Sequence, residues 1–146
     1  LFVYFVFVIE SYYPSLKLYL LYTVLVSILS DIGGLVFGKT FKGKKLTKIS
    51  PNKTISGSIG SFLLSLLLIP IFYEKLILYD LLTLTMITIV ISFISQLGDL
   101  FISFLKRKAK VKDTSNLLPG HGGLLDRVDG VIFAAPIGIF LLSFLN

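Results

Sequence analysis

Two stretches of this chain run for a membrane-spanning length without a single charged side chain: residues 54–73, twenty positions, and residues 81–98, eighteen. A helix needs about 20 residues to cross roughly 30 Å of hydrocarbon. A third run, residues 18–38, contains one internal acid, Asp31, and a fourth, residues 130–145, is sixteen apolar residues long. The opening run, residues 1–9, is nine residues long and is expected to be part of a span. Lipid offers no partner for backbone N–H and C=O groups, so a spanning segment must be a helix or part of a closed barrel. Long apolar runs rather than short alternating strands exclude the barrel. The expectation is an all-α, polytopic transmembrane bundle of four to five spans, one membrane domain over residues 1–146.

Composition agrees with this reading: 55% of residues are hydrophobic and 15% charged. Cysteine is absent, which removes thiolate metal sites and cysteine nucleophiles, and the single histidine, His121, removes a zinc site built on several imidazoles. The chain opens on Leu1 with no basic segment ahead of the apolar run, which makes a poor signal peptide. The numbering is expected to begin inside a longer protein.

The formal charge of +6 could suggest nucleic acid, but 11 of the 14 cations sit in two clusters between spans. Lys39, Lys42, Lys44, Lys45, Lys48 and Lys53 form one; Lys106, Arg107, Lys108, Lys110 and Lys112 form the other. Loops rich in Lys and Arg stay on the cytoplasmic side. The two runs between the clusters supply one crossing out and one back, so both loops are expected to face the cytoplasm. No nucleic-acid partner is expected. By itself this pattern requires no more of the loops than setting topology.

Polar residues fall on one face of two spans. Ser27, Ser30, Asp31, Gly34 and Gly38 share their relative spacing with Ser92, Ser95, Gln96, Asp99 and Ser103, and that spacing is helical. Lipid rejects such faces, so both should turn into the bundle. A carboxylate at mid-membrane costs about 2.5–3.5 kcal/mol on insertion scales, which makes it a functional candidate. Asp31 and Asp99 nevertheless lie near cytoplasmic ends, where hydration lowers that cost and a structural role remains open.

The segment 106–130 combines five cations, Asp113, a glycine turn at 119–123, and then Asp126, Arg127 and Asp129. Glycines let backbone N–H groups approach an anion, and carboxylates are hard-oxygen ligands for Mg²⁺. Together they fit metal-assisted phosphate chemistry, with Asp99 and Asp126 able to share a metal. Residues 33–40, GGLVFGKT, also satisfy the phosphate-loop pattern. That loop works only between a strand and a helix. Here a membrane helix precedes it, so a P-loop is not expected.

From Ser103 to Asp129 the chain resembles the signature of the integral-membrane CDP-diacylglycerol synthases, also called phosphatidate cytidylyltransferases. The fixed points fall on Ser103, Leu105, Lys106, Arg107, Lys112, Asp113, Ser115, the run Leu118, Pro119, Gly120, His121, Gly122, Gly123, and then Asp126, Arg127, Val128 and Asp129. Ser30, Asp31, Phe37, Gly38 and Lys39, and the segment from Ile49 to Thr54 with Gly57, also resemble the family. Ile55 and Ser56 depart from it, standing where an aromatic residue and an acid are usual. Family members carry further N-terminal spans, so the resemblance is to their C-terminal half.

The resemblance implies transfer of a cytidylyl group from CTP to phosphatidate, giving CDP-diacylglycerol and pyrophosphate, with Mg²⁺ held by Asp99 and Asp126 and room for a second cation. Lys106, Arg107, Lys112 and Arg127 would hold phosphates, with Asp113 in the same catalytic set. Asp31, Lys53, Ser103, Gly120, His121, Gly122, Gly123 and Asp129 would bind substrate, His121 more as a structural hydrogen-bonding residue than as an acid. The implied setting is the bacterial inner membrane with the site facing the cytoplasm; a homodimer is left open. Two other readings are weighed against this: a non-catalytic chain binding anionic lipid through its basic loops, and a small ion transporter or channel subunit with Asp31 and Asp99 lining its path.

Overall fold

The structure is a computed structural model that describes residues 14–47, 50, 53–76, 79–109 and 125–145, with side chains at these positions except 14 and 125–128. The described residues form an all-helical bundle. Helix α1 spans Pro14–Phe41, α2 Ile55–Leu66, α3 Ile69–Phe72, α4 Leu81–Lys108 and α5 Leu125–Phe144. Three segments are long and apolar enough to cross a membrane: Ser15–Phe41, Ile55–Phe72 and Leu81–Lys108; Asp129–Phe144 is a shorter apolar helix. The chain is thus an integral membrane helical bundle. The expected partial span at residues 1–9 lies outside the described residues.

Local chemistry explains where the helices begin and end. Proline at the first position of α1 forfeits an N–H that would have no helical partner there. The helix ends as Lys42 turns to φ 44°, and its N–H reaches back to the carbonyl of Gly38 at 3.2 Å. Thr54 caps α2, its hydroxyl accepting the Gly57 N–H at 3.1 Å. Pro70 cannot supply the next helical N–H, so that span breaks after Leu66 and resumes as α3. Asp80 caps α4 by accepting the Thr83 N–H at 3.4 Å. Lys106, Arg107 and Lys108 occupy the last turn of α4, where cations complement the helix dipole.

Helix α1 packs most extensively on α2 and also meets α4 and α5. Tyr22 bonds Thr88 and Ser30 bonds Ser92, so α1 and α4 run parallel. α2 runs the other way. Its contact with α1 is close because the facing residues lack side chains. A Cβ on Gly33 would stand 2.4 Å from the Gly60 carbonyl oxygen, and one on Gly60 would meet the Phe37 side chain at 2.4 Å. Small residues allow this approach where lipid supplies no hydrophobic force between helices.

This arrangement gathers the C-terminal ends of α1 and α4 and the N-terminal ends of α2 and α5 at one end of the bundle, the basic end. The apolar core lies toward the other. Leu21, Ile28, Ile32 and Leu35 of α1 and Leu82, Met86, Val90, Phe93, Leu97, Phe101 and Phe104 of α4 point outward, as lipid-facing residues should.

Candidate active site

The segment between α1 and α2 folds back on itself. The Leu46 N–H donates to the Lys53 carbonyl at 2.8 Å, and the Ile55 N–H to the Lys44 carbonyl at 3.0 Å, with Lys45 and Thr54 forming an isolated antiparallel bridge. This fold-back brings Lys53 to the lip of α2, facing α4. There its ammonium forms an ion pair with the Asp99 carboxylate.

The carboxyl group of Asp129, which is 5% exposed, lies close to that of Asp99. One Asp129 oxygen accepts the N–H of Gly130 at 2.9 Å. Asp31 stands close enough to feel the charges of Asp99, Asp129 and Lys53, and Lys106 acts on Asp129 from the end of α4. Four helices and one loop therefore meet around a small set of opposed charges.

Apart from Lys106, these charged groups border a cavity of about 450 Å³. Asp31, Lys53, Asp99 and Asp129 form its charged side, and Ser50, Thr54, Ser58, Ser61 and Gln96 add polar groups. Ile28, Ile32, Leu35 and Leu46 form an apolar side. Ile28, Ile32 and Leu35 are also outward-facing on α1, so the cavity wall is continuous with the lipid-facing surface.

Beneath the charges lies a hydroxyl network. Ser58 donates to the Gln96 amide oxygen at 2.6 Å, Ser61 donates to the Ser30 carbonyl at 2.6 Å, and the Ser30 and Ser92 hydroxyls lie 2.9 Å apart. These bonds tie α1, α2 and α4 together, from Ser30 beside Asp31 to Gln96 and Ser92, one and two turns before Asp99.

Of the expected site residues, the structure brings Asp31, Lys53, Asp99 and Asp129 together at one cavity. Ser103 lies one turn beyond Asp99 on α4, half-buried and outside the cavity wall; Lys106 is half-buried and Arg107 exposed. Lys112, Asp113, Gly120, His121, Gly122 and Gly123 lie outside the described residues. Asp126 and Arg127 fall in the first turn of α5, and their side chains lie outside the description. The phosphate-loop pattern at 33–40 is helical throughout, so its backbone cannot curl around a phosphate. Ser58 and Ser61 are not among the expected site residues, and Thr54 enters there only as part of the segment resembling the family. A signal existed: Thr54, Ser58, Ser61 and Ser65 repeat at helical spacing and make a third polar stripe. Gln96 was visible on its stripe but was not assigned to the site.

The donor set suits a hard divalent cation. Asp99 and Asp129 hold carboxylates against each other, an arrangement a shared cation relieves, and Mg²⁺ takes one or two carboxylates with substrate phosphates completing its shell. Among the described residues there is no complete cage of three or more acidic or imidazole ligands.

A helical bundle whose basic end holds opposed acids and lysines beside an outward-facing apolar wall defines the chain's class as an integral membrane protein with a charged cavity at one end. The sequence comparisons narrow that class. Residues 1–145 match the cytidylyltransferase family, and the chain belongs to it. It is 43% identical over 127 residues to a phosphatidate cytidylyltransferase of Staphylococcus haemolyticus, covering 85% of this chain and 48% of the relative. Against one from Bacillus subtilis the identity is 42%, covering 86% of this chain and 47% of the relative. Against one from Rickettsia felis it is 43%, covering 79% and 54%. The chain spans about half the length of these curated relatives.

Proposed function

We propose that this chain forms the catalytic half of a phosphatidate cytidylyltransferase, joining CTP to phosphatidate at the cytoplasmic face of a bacterial inner membrane. The observation that carries this reading is the two-sided cavity. Its Lys53, Asp99 and Asp129 side suits phosphates and a cation, and its Ile28, Ile32 and Leu35 side suits acyl chains entering from the bilayer. Few substrates other than a phospholipid need both. Relatives bearing the name phosphatidate cytidylyltransferase support the same substrate pair.

In the reaction a phosphate oxygen of the lipid attacks the α-phosphorus of CTP, the bond to the β-phosphate breaks, and pyrophosphate leaves. The nucleophile is already anionic near neutral pH, so no strong base is required. The barrier lies in bringing polyanions together, which preorganised cations lower. Lys53 and Lys106, with Arg107, Lys112 and Arg127 from the neighbouring turns and loop, would hold phosphates in line. Asp99 and Asp126 would hold Mg²⁺, with Asp129, three positions after Asp126, supporting Asp99 and able to join a second cation. Mg²⁺ bound there would neutralise charge on the departing pyrophosphate. The Ser58–Gln96 bond would keep α2 and α4 in register so that Lys53 and Asp99 face one cavity.

An ion-conducting role needs polar groups through the whole membrane thickness. The far half of the bundle is instead filled by Tyr19, Leu76, Tyr79, Leu84 and Leu142, which favours the enzyme over the transporter. The test is transfer of label from CTP into organic-extractable lipid by the reconstituted chain. Label that requires both phosphatidate and Mg²⁺ is expected. Ion flux into liposomes without CTP, and no labelled lipid, would reverse the reading.

A further inference from the structure

The ion pair at the centre of the cavity poses a problem of occupancy. Asp99 faces Lys53 and Asp129 at once, and Asp31 adds a third carboxyl group nearby. Among the described residues Lys53 is the one lysine bordering the cavity, and its ammonium is engaged by Asp99. A carboxylate whose lone pairs face a cation and whose partner is an ammonium cannot be held by both on equal terms. An ammonium is a compact point charge on a flexible stem, able to leave one anion for another without moving its backbone. The Lys53 backbone is fixed on both sides, its N–H on the Ser50 carbonyl at 3.1 Å and its carbonyl on the Leu46 N–H at 2.8 Å. Motion is therefore confined to the side chain, which is 24% exposed and opens onto the cavity.

We propose that Lys53 is an internal counter-ion that holds Asp99 in the cation-free site and is displaced when a divalent cation takes Asp99, freeing its ammonium for the phosphate of an incoming substrate. This rests on the reading of Asp99 as a cation ligand. Loading the cation then turns a cavity whose Lys53 is paired with Asp99 into one with a free ammonium, so cation binding and anion binding reinforce each other. Without the cation, the cavity presents a satisfied ion pair and attracts a polyanion weakly. Lys53 acts in two positions, and the cost of leaving the first is paid in cation affinity.

The consequence runs against the usual effect of removing a site residue: deleting the ammonium should tighten cation binding. The experiment is an EPR titration of Mn²⁺, standing in for Mg²⁺, against the chain in neutral phosphatidylcholine nanodiscs without nucleotide. The samples are wild type, Lys53→Met, Lys53→Arg and the double variant Lys53→Met with Asp99→Asn. Lys53→Met is expected to bind Mn²⁺ about tenfold more tightly than wild type, because a competing unit charge has been removed from the ligand. Lys53→Arg, which keeps the charge, should stay within about twofold of wild type. The double variant should lose the gain. In steady-state transfer, Lys53→Met should raise the KM for CTP or phosphatidate while lowering the Mg²⁺ concentration needed for half-maximal rate.

Mn²⁺ affinity that is unchanged or weakened in Lys53→Met, or absent from both it and wild type, overturns the proposal. If wild type still transfers label in that case, the enzyme reading stands and only the counter-ion role falls. If Mn²⁺ binding tightens as expected but no label is transferred, the counter-ion role stands and the enzyme reading falls. A purely structural tie between α2 and α4 would lower thermal stability in Lys53→Met without tightening Mn²⁺ binding, and that result also overturns the proposal.

Discussion

Around the first half of α1, Tyr19, Tyr22 and Val26 pack against Leu76, Leu84, Ile87 and Leu142, with Tyr79 donating a hydrogen bond to the Leu142 carbonyl. Around its second half the buried side chains include Ser27, Ser30, Ser61, Ser92 and Ser95, and Gly33 meets the backbone of Gly60 with no room for a Cβ. The same bundle thus uses two kinds of cohesion. At the far end, rings and branched chains fill space. At the basic end, small residues bring backbones together and hydroxyl bonds set register, which leaves room for a cavity and for charged groups around it. A core filled like the far end would have no volume to admit a substrate. A bundle built like the basic end throughout would lack packing to hold it.

Four substitutions probe that contrast by thermal unfolding in nanodiscs. Leu84→Ala, in the far core, should have the largest effect, about 2–5 kcal/mol, because a fully buried side chain is removed and a cavity is left. In lipid the loss is one of dispersion contacts rather than of transfer from water. Activity per folded molecule should survive. Gly33→Ala should cost about 1–3 kcal/mol by forcing α1 from α2, and it should also lower activity, since the same contact positions Lys53. Tyr22→Phe removes the 2.5 Å bond to Thr88 at the boundary of the two regions and should cost about 0.5–1.5 kcal/mol. Ser27→Ala should be smallest, neutral or slightly stabilising, because the Ser27 hydroxyl is buried with no hydrogen-bond partner among the described residues. A Ser27→Ala cost as large as that of Leu84→Ala would erase the distinction between the two ends.

Much of this division is legible in the sequence. The uncharged runs mark the spans, and the stripes of Ser27, Ser30 and Asp31 and of Ser92, Ser95 and Asp99 do turn inward. Helical periodicity reports a face directly, so a single helix can be oriented from its residues alone. Register between helices is different. The meeting of Lys53 with Asp99 depends on how deeply α2 sits against α1, which Gly33 and Gly60 set through contacts that no one-dimensional pattern encodes. The break at Pro70 went unread because hydropathy continues across it. α1 likewise runs on to Phe41, past the apolar stretch that ends at residue 38, because lysines near a membrane surface are good helix formers with water within reach. The Thr54, Ser58 and Ser61 stripe was hidden by its modest polarity inside an otherwise apolar run. The densest motif, residues 110–124, lies outside the described residues, so its expected roles rest on the resemblance.

The central claim is that the chemistry belongs to the acids of the basic end, with Asp99 at their centre. Cytidylyl transfer by Asp99→Asn, measured beside wild type as label from CTP entering phosphatidate-derived lipid, tests it most directly. The substitution keeps shape and removes charge. The account predicts a rate at least about a hundredfold lower, with the thermal midpoint within about 4 °C of wild type. Transfer at a near wild-type rate by a folded Asp99→Asn protein would contradict it.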